Sequence, residues 1–399
     1  MSQENILGVV AEYNPFHLGH AYQISAAKDK VQARGVVAVM SGNFTQRGDI
    51  ACLDKWQRSQ LALAGGADLV LELPAIYALR SSECFGSTAV ALLAATGVVT
   101  HLVFGCETAQ PEILAKLAQE DITTEKLAPY LKAGLTYGAA VSSYLATKEP
   151  AAKKLLQGPN NILALAYYQA LKRYHLQAVP LKRKGAAYRD NDFTQEFPSA
   201  QSLREEIYLH GLTPQLSSGF PPEVWQQLAT MTPSRVHEEI LLPLLKHLCS
   251  TTSASTLALS CDASEGLENK LKAAAKAQSL EEFYQLVKSK RYPQTRLQRL
   301  VYQLLLSTED ALFATTKGIA PSYLRVLGFN ATGRQLLKLM KKKATLPLIT
   351  KLHKNELALL AKPSATSLTV DIAATNLYDL LKNTGSFNRD YTTGPYQSK

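Results

Sequence analysis

The chain has 399 residues, a formal charge of +10, and 46% hydrophobic against 19% charged residues. That composition suits packed cores in a chain long enough for two domains, and it excludes a disordered polymer. It also excludes a membrane span, since no run of about 18 uncharged apolar residues occurs. Five widely spaced cysteines without a C-x-x-C pair support neither a zinc site nor a disulfide framework. With no basic leader at Met1–Asn5, the chain reads as cytoplasmic.

In chain order, Ile6–Ala11, Gly35–Met40, Ala67–Leu73 and His101–Phe104 are nearly continuous apolar runs. Such runs predict strands buried on both faces. Helical patterns fall between them, at about 17–31, 54–64 and 82–96. This alternation predicts an α/β fold with a parallel sheet, whose ligand lies beyond the carboxyl ends of the strands. That rule nominates Glu12-Tyr13-Asn14, Ser41-Gly42-Asn43-Phe44, Glu72-Leu73-Pro74 and Gly105-Cys106-Glu107. Gly158-Pro159-Asn160-Asn161 opens a further helix, and Gln177–Lys182 reads as a last strand ending at Lys182-Arg183-Lys184. Ser199 leads a helix to about His210, and Thr213–Pro222 is the expected linker. Beyond it the pattern is mainly helical.

Charge divides the same way. Residues 1–150 hold 11 Lys+Arg and 14 Asp+Glu, for −3, whereas 151–399 hold 32 and 19, for +13. Within 266–354 the balance is 17 against 5. A basic stretch of this size is the footprint of a nucleic-acid binder, although solvated helix faces give the same count. It nominates Lys288, Lys290, Arg291, Arg296, Arg299, Lys341, Lys342 and Lys343 as RNA contacts.

The most informative segment runs from Gly8 to His20. A strand ends in Asn14-Pro15, and His17-Leu18-Gly19-His20 follows where a helix begins. Helix N-termini attract phosphate, and histidines there add donors that can be cationic near neutral pH. Gly19 allows close backbone approach. Capping would account for the same two histidines. Ser41, Asn43 and Arg47 suit a substrate carboxylate, and Gly105 would let a nucleoside lie against the backbone. Asn160 offers an amide to ribose or phosphate, and Arg183 a phosphate clamp. Ser199 and Arg204, with hydroxyls at a helix start and a guanidinium one turn on, form a second cradle. No metal-ligand pattern and no P-loop is present, so ATP, if it is used, is bound by the H-x-G-H architecture and not by a Walker loop.

The H-x-G-H string resembles the nucleotidyltransferase superfamily. Tyr13-Asn14-Pro15-Phe16-His17, Ser41-Gly42-Asn43-Phe44, Gln46-Arg47-Gly48, Asp54-Lys55-Trp56, Phe104-Gly105, Gly158-Pro159-Asn160-Asn161-Ile162 and Arg325-Val326-Leu327-Gly328-Phe329-Asn330 resemble the tRNA(Met) cytidine acetate ligase family. The resemblance implies a Rossmann-like nucleotidyltransferase domain over 1–212 for ATP and acetate, and a mainly helical, basic, tRNA-binding domain over 213–399. It implies activation of acetate as acetyl-adenylate and acetylation of the wobble cytidine of elongator tRNA(Met). ATP contacts would fall on Val10, Ala11, Glu12, Tyr13, Asn14, Pro15, Phe16, His17, Leu18, Gly19, His20, Ala21, Tyr22 and Gln23, with Gly105, Asn160 and Arg183. His17 and His20 would be catalytic, Ser199 and Arg204 would hold pyrophosphate, and Mg²⁺ would accompany the phosphates. In the motif that contains Ser199 and Arg204, Gln201 stands where a threonine is common, leaving its role open. A nucleotidyltransferase joining AMP or CMP to a small phosphate, or a non-catalytic RNA-binding protein, are the alternatives.

Overall fold

Strands without polar alternation must be covered on both faces. Five of them form the parallel part of one sheet in the computed structural model, which describes residues 4–108, 110–183, 196–236, 238–260, 266–289, 292–308, 313–316, 318, 320–353 and 360–398. They are β1 (Ile6–Ala11), β2 (Gly35–Ser41), β3 (Leu69–Leu73), β4 (His101–Cys106) and β5 (Gln177–Lys182). Their order is β5-β4-β1-β2-β3, all parallel. The chain leaves β1 toward β3 on one side and returns to place β4 and β5 on the other. The strand order therefore reverses between β1 and β4, where a crevice opens at the carboxyl ends.

Alternate residues of β2 feed two cores. Val37 and Val39 pack with Phe85, Leu93 and Leu102, while Val36, Ala38 and Met40 pack with Ile24, Leu61 and Val103. Helices α1 (Leu18–Val31) and α2 (Lys55–Ala64) start just beyond the carboxyl ends of β1 and β2. The helices Ser82–Ala95 and Pro159–Leu171 pack on one another through Gly86, Ala166 and Tyr167.

Beyond residue 213 the chain is mainly helical, and it also returns three strands to the sheet. β6 (Leu324–Phe329) pairs antiparallel with β3, and the short β7 (Leu348–Ile349) and β8 (Tyr396–Gln397) each pair parallel with β6. The stretch Thr213–Pro222, expected as a linker, is instead a packed turn. Leu216 and Phe220 are buried with Leu203, Ile207 and Val224, because two apolar side chains four residues apart reach one core.

A charged joint fastens this returning segment. Lys55 Nζ donates to Glu72 at 2.8 Å and to Asp390 at 2.7 Å, and Arg325 Nη2 lies 2.8 Å from Asp390. All four side chains are at most 5% exposed. Beside them Arg389 reaches Asp54 and Asp379, both at 2.7 Å. Asp371, on the Lys362–Leu381 helix, accepts from the Ala75 backbone N–H at 2.7 Å and from the Tyr323 hydroxyl. The ends of β2 and β3 are thus covered. Glu72-Leu73-Pro74, nominated as site-lining by the strand-end rule, belongs to this joint.

The Ala331–Lys343 helix lies at the opposite, amino-terminal edge of the sheet. Leu336 packs over Gly35 at the start of β2, and the Lys343 carbonyl sits against Gly97 just before β4. The Thr345 N–H closes this contact, donating to Ala95 O at 2.9 Å.

Candidate active site

A cleft of about 1700 Å³ occupies the crevice beyond β1 and β4. Val10, Ala11, Glu12, Tyr13, Asn14, His17, Gly19, His20, Tyr22 and Gln23 line it, with Gly105, Asn160, Arg183, Ser199, Gln201 and Arg204. The structure therefore gathers candidates spread over some two hundred residues of sequence. Pro15, Phe16, Leu18 and Ala21 do not line it. Phe16 is fully buried against Gly65. Its ring lies 5.5 Å from that of His20, so it fixes the histidine rather than meeting a ligand.

The two histidines are locked into a reciprocal cap at the start of α1. His17 Nδ1 accepts from Gly19 N at 3.0 Å, and His20 Nδ1 accepts from His17 N at 3.2 Å. A ring nitrogen that accepts carries no proton, so each neutral ring holds its hydrogen on Nε2. Burial, with Arg183 and Arg204 nearby, lowers His17 to about 3. Burial, with His17 and Arg183 nearby, holds His20 well below the ordinary range. The expectation of cationic histidines is thereby corrected. They are neutral Nε2–H donors, and the positive charge of the cleft comes from arginine.

Arg204 Nη1 donates to Asn14 O at 2.6 Å, tying the second motif to the first. Ser199 caps its helix, accepting from Ser202 N at 3.0 Å. Asn14 Oδ1 accepts from Cys52 N at 2.8 Å, and the Asn14–Pro15 peptide is cis. Arg58, buried throughout, donates to the carbonyls of Glu12, Ser41, Gly42 and Leu53. It holds the ends of β1 and β2 in register, a role its sequence position did not announce.

Of the acetate candidates, Arg47 lines the cleft. Ser41 and Asn43 are buried outside it, because Asn43 Oδ1 accepts from Lys55 N at 2.8 Å to help start α2. Gln46, quoted for the resemblance but not nominated as a site residue, faces the cleft and joins three elements. Its N–H donates to Glu12 Oε1 at 2.7 Å, its Nε2 to Arg80 O at 3.0 Å, and its carbonyl accepts from Arg299 Nη1 at 3.1 Å. Burial raises the Glu12 carboxyl above its ordinary value.

The RNA candidates divide. Arg296 and Arg299, on the Gln294–Leu306 helix, line the same cleft, and Arg296 stacks 4.1 Å over Tyr292. Lys288 is exposed just past the Leu280–Val287 helix. Lys341, Lys342 and Lys343 are exposed at the far, amino-terminal edge of the sheet, and the structure does not bring them to the cleft. Lys290 and Arg291 lie outside the described residues.

A family model described as HIGH Nucleotidyl Transferase matches residues 4–392. A tRNA(Met) cytidine acetate ligase of Thermoanaerobacter sp. (strain X514) is 38% identical over 404 residues, covering 97% of this chain and 98% of its own length. One of Clostridium perfringens (strain SM101 / Type A) is 37% identical over 409 residues, covering 98% and 99%. This chain belongs to the tRNA(Met) cytidine acetate ligase family. Thermotoga maritima TmcAL superposes with a TM-score of 0.88 at 30% identity, across 98% of this chain and 99% of that one. A second crystal structure of TmcAL, bound with α-thio ATP, gives 0.86 with the same identity and coverage. The fold of this chain is therefore shared over 98% of its length with TmcAL. Among the described residues no group of three or more His, Cys, Asp or Glu is placed to hold a metal ion, and no helix is long and apolar enough to cross a membrane.

Proposed function

We propose that this chain is an ATP-dependent ligase that acetylates the wobble cytidine of elongator tRNA(Met) to N4-acetylcytidine. The observation that carries the reading is the arrangement of two neutral Nε2–H donors beside Arg183 and Arg204 at the reversal of strand order. A triphosphate fits there, and a family relative is seen with an ATP analogue.

The cytosine amine is a poor nucleophile because its lone pair is delocalised into the ring, so acetate must first be activated. One acetate oxygen attacks the α-phosphorus, the bond to the β-phosphate oxygen breaks, and pyrophosphate leaves. Donors fixed before the reaction stabilise the charge that develops on the phosphates, the role given to His17, His20 and Arg204. The amine then attacks the acyl carbon, AMP departs with the carboxyl oxygen, and the amine loses a proton. When bound, Mg²⁺ would supply charge neutralisation on the triphosphate oxygens; among the described residues no group of three or more His, Cys, Asp or Glu is placed to hold it.

We assign ATP and acetate to residues 1–212, with Arg47 on the acetate side, and tRNA to 213–399. Arg296 and Arg299 bring the two sets of contacts to one cleft. RNA bases are reached most readily when unstacked, as in an anticodon loop. The assigned compartment is the cytoplasm.

Incubation with ATP, radiolabelled acetate and total tRNA, followed by nucleoside analysis, tests the reading. Labelled N4-acetylcytidine in one tRNA, with acetate-dependent pyrophosphate exchange in its absence, is the expected result. Adenylate label on a small phosphate ester, with none from acetate on RNA, would overturn it.

A further inference from the structure

Asn160 lines the cleft, and Glu107, just past the end of β4, does not. The two are nonetheless bound closely. Glu107 Oε1 accepts from the Asn160 backbone N–H at 3.0 Å and from its Nδ2 at 2.6 Å, and Oε2 accepts from Asn161 N at 2.8 Å. Asn161 Oδ1 returns the contact, accepting from Glu107 N at 2.9 Å. A Cβ at residue 158 would lie 2.5 Å from Glu107 Oε2, so glycine there makes room for the carboxylate. Three N–H groups converge on this carboxylate, which acts only as an acceptor. The Asn160 amide must therefore turn its NH₂ toward it. Oδ1 has no hydrogen-bond partner among the described residues and is left for the cleft.

We propose that Glu107 is a positioning residue that makes Asn160 present an acceptor to the nucleotide, so that the site selects a nucleoside carrying a donor at that point. The inference rests on the reading of the cleft as an ATP site. An acceptor carbonyl repels phosphate oxygens, so this end of the cleft takes the nucleoside, and the histidine and arginine end takes the phosphates. The earlier choice between ribose and phosphate for Asn160 is thereby narrowed. The donor is a ribose hydroxyl or the adenine 6-amino group, and the chemistry required is the same.

Calorimetric binding of ATP, 2′-deoxyATP, 3′-deoxyATP and inosine triphosphate, without acetate or tRNA, tests the proposal. The wild-type chain should bind one of the three analogues about five- to tenfold more weakly than ATP, the effect of one hydrogen bond in a partly desolvated site. A deoxy analogue names the ribose as the source, and the inosine analogue names the base. Both Asn160→Ala and Glu107→Ala, which removes the acceptor that turns the amide, should bind that analogue and ATP within about twofold of each other. If Glu107→Ala fails to fold, Asn160→Ala, which leaves Glu107 capping the helix, carries the test alone. Equal wild-type binding of all four nucleotides overturns the proposal, as does discrimination that survives Asn160→Ala. A chain that discriminates but exchanges no pyrophosphate with acetate keeps this inference and loses the ligase reading. A chain that binds no nucleotide loses both.

Discussion

Two clusters of charge stand at the carboxyl ends of the same sheet, and they are built to opposite plans. At β2 and β3 the cations Lys55 and Arg325 meet the anions Glu72 and Asp390 at 2.7–2.8 Å for their three shortest pairings, out of water. At β1 and β4 positive charge is in excess: burial does most to lower His17 and His20, Arg183 adds to the lowering of both, and Arg204 to that of His17. Matched charge closes a surface, whereas excess charge of one sign leaves work for an incoming anion. The strand-end rule alone could not tell these places apart. The returning segment decides, because it covers one pair of strand ends and leaves the other open.

The comparison can be broken from either side, and the joint should break hardest. Asp390→Ala leaves Lys55 and Arg325 facing Glu72 alone in a dry site. Removing one partner of a buried network costs about 3–5 kcal/mol, and denaturant titration should show it. The same experiment on the cleft should give the reverse pattern. His20→Ala should lose about a hundredfold in acetate-dependent pyrophosphate exchange, about 3 kcal/mol in the transition state, while the lost cap costs only about 1 kcal/mol of stability. A soluble His20→Ala variant with unchanged turnover would remove the histidine from the mechanism.

A subtler contrast sets the two ends of the sheet against each other. Arg296→Ala should lower the slope of log tRNA affinity against log salt by about one unit, as expected for one lost phosphate contact. Reversing Lys341, Lys342 and Lys343 to glutamate should leave the slope unchanged, since these lysines lie at the far edge. A triple variant whose slope falls by two units or more would move the RNA path to that edge.

The smallest effect concerns pH. Folded His17 stays neutral down to about 3, below its ordinary 6.5, so between those values the unfolded chain binds a proton that the folded one refuses. Stability from this source is present above pH 6.5 and falls as pH drops toward 3. Asp371, pushed up to about 7 by burial and by the nearby Glu72, acts in the opposite sense, losing stability as pH rises from 3.8 toward 7. Comparing wild type with His17→Gln cancels the second contribution. The difference in Tm between the two chains should shift in favour of the variant on going from pH 6.5 to 5.

Much of the architecture was legible in the residues. Apolar runs such as Gly35-Val36-Val37-Ala38-Val39-Met40 have no reading other than a buried strand, and Asn14-Pro15 followed by His17 and His20 marks where the first one ends. β6 escaped because Arg325 interrupts its apolar run, and its partner β3 lies some 250 residues earlier. Asn43 and Glu72 looked like site residues by position, and only the long-range contacts of Lys55 and Asp390 reveal that they are structural. The protonation of the histidines was likewise hidden. It depends on which ring nitrogen the backbone engages, and no composition or spacing encodes that.

The joint also has a consequence in time. Lys55 and Asp390 stand 335 residues apart in sequence. At a synthesis rate of about 10 residues per second, roughly half a minute separates their emergence from the ribosome. For that interval Lys55 has Glu72 alone, and the ends of β2 and β3 stay wet. The ends of β2 and β3 therefore cannot close before the tail arrives, and a chain that stops short of Asp390 leaves Lys55 and Arg325 without that partner.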